Sequence, residues 1–178
     1  MFVSGDRIIS MEKIFLGIDP GLATIGFGVI KSDGDKHIFV DCGVIKTPAG
    51  LSLEERLHSI KEDCDDLVRT IQPDAAGVEE LFFAKNVTNA IKVAHARGVL
   101  LESIFAHNIP LFEMTPLQIK NNICGYGQAD KIQMQEMIKR LLNLSGIPRS
   151  DDAADALGIA ICTARLFHTK QTGIKNEN

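Results

Sequence analysis

The chain has 178 residues, enough for one domain with a real hydrophobic core and too few for two full ones. Hydrophobic residues make up 45% and charged residues 24%, the balance of an ordinary globular protein, and no apolar run approaches the length of a membrane span. The formal charge of −4 does not by itself suggest a nucleic-acid binder, but the acidic excess lies in the N-terminal half, and residues 80–178 are slightly basic.

Residues 1–12 read as a flexible extension without the apolar core of a signal peptide. Met11-Glu12-Lys13 resembles a natural start, so Met1–Ser10 reads as an upstream start or an expression remnant. Residues 13–167 form the expected single domain, and residues 168–178 a polar, frayed tail.

Lys13–Ile18 predicts a fully buried, central strand ending at Asp19-Pro20-Gly21. Ile25–Lys31 and His37–Lys46 are β-rich and joined by Ser32-Asp33-Gly34-Asp35, a hairpin signal. Ser52 and Glu55 form a capping box for a helix whose Leu53, Leu57, Ile60, Cys64, Leu67 and Ile71 share a face. Gln72-Pro73 stops it, and Asp74–Glu79 predicts a short buried strand.

A long helix is expected from about Asn86 to Ala106, then a strand over Pro110–Met114. Ala90, Ala94 and Gly98 recur every four residues in that helix, with Ile91 alongside; they suit packing on the sheet or, as a second reading, a dimer seam. Thr115-Pro116 opens the next helix, and Asp130 caps another carrying Ile132, Met137, Ile138 and Leu141. The last helix is expected from Asp151 to about Phe167. This order implies an α/β fold with a mixed five-stranded sheet and helices on both faces.

Four carboxylates stand out. Asp19 and Glu79 each end an apolar strand, and Asp152 and Asp155 lie three apart on one helix face. Glu80 competes with Glu79, because strand alternation sends one inward and one outward; Glu79 continues the run more directly. Four converging like charges need protons or cations, and an oxygen-only set suits Mg²⁺ better than zinc. Two such ions about 3.5–4 Å apart can serve phosphodiester hydrolysis, one activating water and one steadying the leaving oxygen. Two dications would also bring the formal charge to zero. Cys42, Cys64, Cys124 and Cys162 are widely scattered, which argues against a zinc site or disulfide framework and for a reducing cytoplasm.

Gly17-Ile18-Asp19-Pro20-Gly21, Val78-Glu79-Glu80-Leu81-Phe82-Phe83-Ala84-Lys85-Asn86, Ala96-Arg97-Gly98-Val99 and Asp152-Ala153-Ala154-Asp155-Ala156-Leu157 resemble the RuvC-type crossover junction endodeoxyribonucleases. The likeness runs over residues 13–165 in the family's motif order. It implies a ribonuclease-H-like fold and a Mg²⁺-dependent homodimer, with two ions per subunit. Such a dimer resolves four-way DNA (Holliday) junctions in recombination and repair by paired symmetric nicks. Asp19, Glu79, Asp152 and Asp155 match the family's catalytic, metal-binding acids. Phe82 matches an aromatic that stacks on junction bases, although a core role for it stands equally open. Lys120 and Lys131 match basic positions near phosphates, and Lys85 and Arg97 are weaker candidates for the same DNA surface. A branch-migration motor complex as partner is implied by the resemblance alone. Two rivals remain at this stage. An actin-like phosphotransferase would share the opening strand, acidic turn and hairpin; an RNA-directed nuclease would share the whole fold.

Overall fold

The computed structural model describes residues 12–81 and 87–171. Five strands are present: β1 (Lys13–Asp19), β2 (Thr24–Ser32), β3 (His37–Lys46), β4 (Ala75–Glu79) and β5 (Leu111–Met114). They form a single mixed sheet in the order β3-β2-β1-β4-β5. The β1–β2–β3 meander is antiparallel, whereas β4 and β5 run parallel to β1, as their helical crossovers require. The strand bearing Asp19 is central, as its lack of a polar face implied.

Helices α1 (Leu53–Ile71) and α2 (Val87–Ala106) supply one crossover each. Their inward side chains, Ile60, Cys64, Val68, Ala96, Leu100 and Ile104, meet Leu16, Ile18, Ile25 and Val78 on one face of the sheet. Helices α3 (Pro116–Cys124), α4 (Lys131–Leu141) and α5 (Asp151–Gln171) cover the other face, around Phe15, Ile30, Ala75 and Phe112. Period-two alternation divides β1 cleanly, with Leu16 and Ile18 toward α1 and α2, and Phe15 toward α5.

Local chemistry sets the helix starts. The Glu55 backbone N–H donates to the Ser52 hydroxyl at 3.3 Å, and the Ser52 N–H donates to the Glu55 carboxylate at 2.8 Å. The same reciprocal box joins Thr115 to Gln118 and Asp130 to Gln133. Each cap is worth about 0.5–2 kcal/mol. At the other end of α1, Gln72 takes a left-handed conformation at φ 49°, and Pro73 prevents continuation.

Some expectations change. Helix α5 runs on to Gln171, because Phe167 and His168 both stack edge-on against Phe15 rather than fraying into solvent. On α4 the inward positions are Met134 and Ile138, while Ile132 in the first turn is 71% exposed. On α2 the sheet is covered by Ala96, Leu100 and Ile104; Ile91 and Gly98 face outward, so packing on the sheet does not explain that part of the small-residue repeat. Phe82, Lys85 and Met1–Ser10 lie outside the described residues.

What brings α5 down onto the sheet is a row of glycines. Gly28, Gly17 and Gly77 are register partners across β2, β1 and β4. A methyl group at Gly17 would stand 2.1 Å from the Ala156 carbonyl oxygen, one at Gly28 2.6 Å from the Leu157 nitrogen, and one at Gly77 1.9 Å from the Thr163 hydroxyl. At Gly17 and Gly28 the obstacle is backbone, so these glycines form a trough that admits the helix backbone itself, while Gly77 makes room for the Thr163 side chain. The buried Ala153, Ala154, Ala156 and Ala160 keep the facing side of α5 equally thin.

Candidate active site

Asp19 and Glu79 are the last residues of neighbouring parallel strands, each one step beyond the Ile18–Val78 register pair. Alternation puts Asp19 on the face of Phe15 and Gly17, and Glu79 on the face of Ala75 and Gly77, which is the face covered by α5. Across the trough, the first turns of α5 carry Asp152 and Asp155 on the side turned toward these strand ends. All four carboxylates are partly buried. Glu80 has its backbone N–H on the Met114 carbonyl at 2.8 Å and lines a separate hollow with Leu81, Ala94, Arg97 and Glu113.

The electrostatics report the crowding. Burial, then the charges of Glu79, Asp155 and Asp152, push the Asp19 carboxyl from 3.8 up to about 8, with Lys131 opposing. Burial and then Asp155 raise Glu79 from 4.5 to about 7, against the pull of Lys120. Asp155 is raised as well, chiefly by burial, with Lys131 pulling it down.

A hollow of about 210 Å³ opens beside Glu79 and Asp155, and Lys120 and Lys131 line its rim together with Pro116, Ile119, Met134 and Ile159. Lys131 is not idle there. Its ammonium donates to Asp151 at 2.8 Å, and the Gln135 amide donates to the other oxygen of the same carboxylate at 2.9 Å. Arg97 departs from its expected place on the DNA surface. It donates to the Glu79 backbone carbonyl at 2.9 Å and to the Glu113 carboxylate, so its guanidinium is engaged on two sides.

The donor set fits a hard divalent cation, since every side-chain donor is a carboxylate oxygen, and burial followed by like-charge repulsion raises Asp19. Among the described residues, however, no three His, Cys, Asp or Glu side chains close into a ready cage. An open carboxylate corner leaves room for water and substrate oxygens to complete the shell of a hard divalent cation.

Sequence reasoning missed Gly26, Gly28 and Gly77, the anchoring of Lys131 by Asp151, and the Arg97–Glu79 contact. The glycines were visible as isolated small residues inside apolar strands, a known sign of close backbone approach. Nothing in the sequence pointed to the other two contacts, because both depend on which helix turns face each other.

A strand-end acid pair facing an acid pair at the start of a covering helix, on this 3-2-1-4-5 sheet, defines a ribonuclease-H-like nuclease domain. Residues 15–163 match the family model for crossover junction endodeoxyribonuclease RuvC. The chain belongs to that family. It is 49% identical over 151 residues to the enzyme of that name from Alkaliphilus oremlandii, covering 85% of this chain and 92% of the relative. With the one from Thermosipho melanesiensis it shares 50% over 149 residues, covering 84% and 95%. Thermus thermophilus RuvC in complex with Holliday junction substrate superposes with a TM-score of 0.83 at 31% identity, covering 89% of this chain and 96% of the other.

Proposed function

We infer that this chain is a structure-selective endodeoxyribonuclease that resolves four-way DNA junctions by paired nicks. The observation that carries the reading is the convergence of Asp19, Glu79, Asp152 and Asp155 beside a hollow rimmed by Lys120 and Lys131. The family match over residues 15–163 supports it over an actin-like phosphotransferase or an RNA-directed nuclease.

The four carboxylates are assigned to hold two Mg²⁺ ions. When bound, the ions would activate the attacking water and offset charge on the phosphate and its leaving oxygen. The chain's own residues do the rest. Asp19, at the crowded centre, is the carboxylate whose ionised form depends most on a compensating positive charge. Asp152 and Asp155 ride on one rigid helix, so their separation is fixed by its turn, and the glycine trough fixes the height of that helix above Asp19. Lys120 and Lys131 draw the sugar-phosphate backbone toward an otherwise acidic corner and read no sequence. Phe82 and Lys85 are assigned to junction contact, with Phe82 stacking on an unpaired base at about 1–3 kcal/mol.

A homodimer suits the substrate, because a two-fold protein sets two sites against opposite strands of a two-fold junction. The outward stripe on α2 supports this seam: Ile91 is 50% exposed, Phe105 is 77% exposed, and a methyl group added at Gly98 would meet no atom within 4 Å. A branch-migration motor as partner and a cytoplasmic location are proposed from the family and the recombination role. No described helix is long and apolar enough to cross a membrane.

The test is incubation of the full chain with Mg²⁺ and a labelled four-way junction, beside linear duplex and structured RNA. Symmetric nicks in two strands of like polarity are expected on the junction alone. ATP turnover without nicking, or RNA cutting with the junction intact, would select a rival instead.

A further inference from the structure

The end of β4 is held from behind by a side chain that takes no part in the assignments above. Arg97, in the middle of α2, is only 16% exposed. Its Nε–H donates to the Glu79 main-chain carbonyl at 2.9 Å, and its terminal nitrogen donates to the Glu113 carboxylate on β5. The next peptide is pinned too, by the Glu80 N–H on the Met114 carbonyl at 2.8 Å.

Glu79 is where strand pairing stops, and the last carbonyl of a strand is ordinarily left to water. A loose peptide at that point would let the Glu79 carboxylate swing relative to Asp19 and Asp155, and a cation site tolerates only about 0.5 Å of such play. The guanidinium is suited to prevent this. Its fork sends donors in two fixed directions at once, one to the strand end and one to the neighbouring strand, and a lysine ammonium offers no such planar fork.

We propose that Arg97, braced by Glu113, is a positioning residue that fixes the end of β4 so that the Glu79 carboxylate meets a divalent cation in register. The proposal rests on the reading of Glu79 as a cation ligand. It gives Arg97 no contact with DNA, cation or reacting atoms.

The experiment titrates Mn²⁺ into the full, DNA-free chain by calorimetry and separately measures junction affinity in metal-free buffer. Arg97→Met keeps the aliphatic stem without donors, and Arg97→Lys keeps the charge without the fork. Both are expected to weaken Mn²⁺ binding by about 10-fold, the usual loss when an outer partner of a metal ligand is removed. Junction affinity should stay at the parent level. Parent-like Mn²⁺ binding by Arg97→Lys would overturn the proposal, because charge alone would then suffice. Weakened junction binding with unchanged Mn²⁺ affinity would overturn it in favour of a phosphate contact. Should Arg97→Met fail to melt cooperatively, Glu113→Met removes the brace alone; a smaller loss of Mn²⁺ affinity supports the proposal and none overturns it. If Glu79→Gln itself binds Mn²⁺ like the parent and nicks normally, the carboxylate assignment has failed, and not merely the role of Arg97.

Discussion

The backbone of Asp152 rests directly on Gly26: a methyl group added to that glycine would stand 2.0 Å from the Asp152 carbonyl oxygen. Gly26 is also the register partner of Asp19, so one strand position without a side chain adjoins both halves of the acid cluster. Gly26→Ala should therefore lift the first turn of α5 and carry Asp152 with it. Overpacking of this kind costs about 1–3 kcal/mol. We expect cooperative denaturant unfolding at a lower midpoint and a loss of nicking larger than the stability change explains. A variant that is destabilised yet nicks at the parent rate per folded molecule would show that Asp152 is not held by this contact.

The raised carboxyls predict how stability follows pH in metal-free buffer. Asp19 titrates near 3.8 when unfolded and about 8 when folded, and Glu79 near 4.5 and about 7. Between those limits the folded chain binds more protons than the unfolded one, so unfolding free energy falls as pH rises. Their contribution is complete below about pH 4 and gone by about pH 8. Chelator-treated protein should thus melt lower at pH 8 than at pH 6, and added Mg²⁺ should raise the melting temperature more at pH 8. Equal Mg²⁺ effects at both values would argue against a cation at these carboxylates.

Asp19→Asn separates folding from chemistry. Removing the most crowded charge should stabilise the chelator-treated protein at pH 8, because its burial and like-charge penalty disappears. The same change should abolish nicking and most of the Mg²⁺-induced stabilisation while junction binding persists. Thermal melts with and without Mg²⁺, beside a gel-shift titration, measure all three. Destabilisation at pH 8 in chelator would mean that Asp19 makes a favourable contact in its charged form.

Much of this site could be read from the residue order, and the unread parts share a cause. Asp19 and Glu79 were legible because apolar strands that end in acids restrict where those acids can point. Asp152 and Asp155 were legible because i,i+3 spacing fixes a shared helix face. Ile132 misled because its own apolarity suggested the core, whereas the inward face of α4 is set by Met134 and Ile138 against Gly158. Arg97 misled in the same way. A basic residue beside a nucleic-acid site suggests phosphate, and only the fold reveals that Glu113 and a carbonyl have already engaged it. Periodicity specifies faces; it does not specify which turn of one element abuts which turn of another.

Asp151 holds the Lys131 ammonium at 2.8 Å, and in the proposed reading junction phosphate competes with Asp151 for that ammonium. Asp151→Ala removes one negative charge at the rim and frees the lysine. Junction affinity at low salt should rise by a few-fold, with a steeper loss as salt increases, since each phosphate contact adds about 0.9 to the logarithmic salt slope. Lys131→Met should do the reverse. Binding isotherms at several salt concentrations distinguish these outcomes; an unchanged slope in both variants would mean that Lys131 does not contact the backbone.

Gly98 offers a test of the dimer seam that separates protomer from assembly. It lies within α2, is exposed, and a methyl group there would touch nothing within 4 Å. In an isolated protomer, Gly98→Ala should therefore stabilise the helix by up to about 1 kcal/mol, because alanine loses less backbone freedom than glycine. If two copies meet along Ile91, Ala94, Gly98 and Phe105, the glycine permits close approach, and Gly98→Glu puts like charges against each other across the two-fold axis. Gly98→Glu should then sediment as a folded monomer, and its nicks on a four-way junction should fall singly rather than in pairs. A Gly98→Glu chain that remains dimeric and cuts both strands together would move the seam to another face.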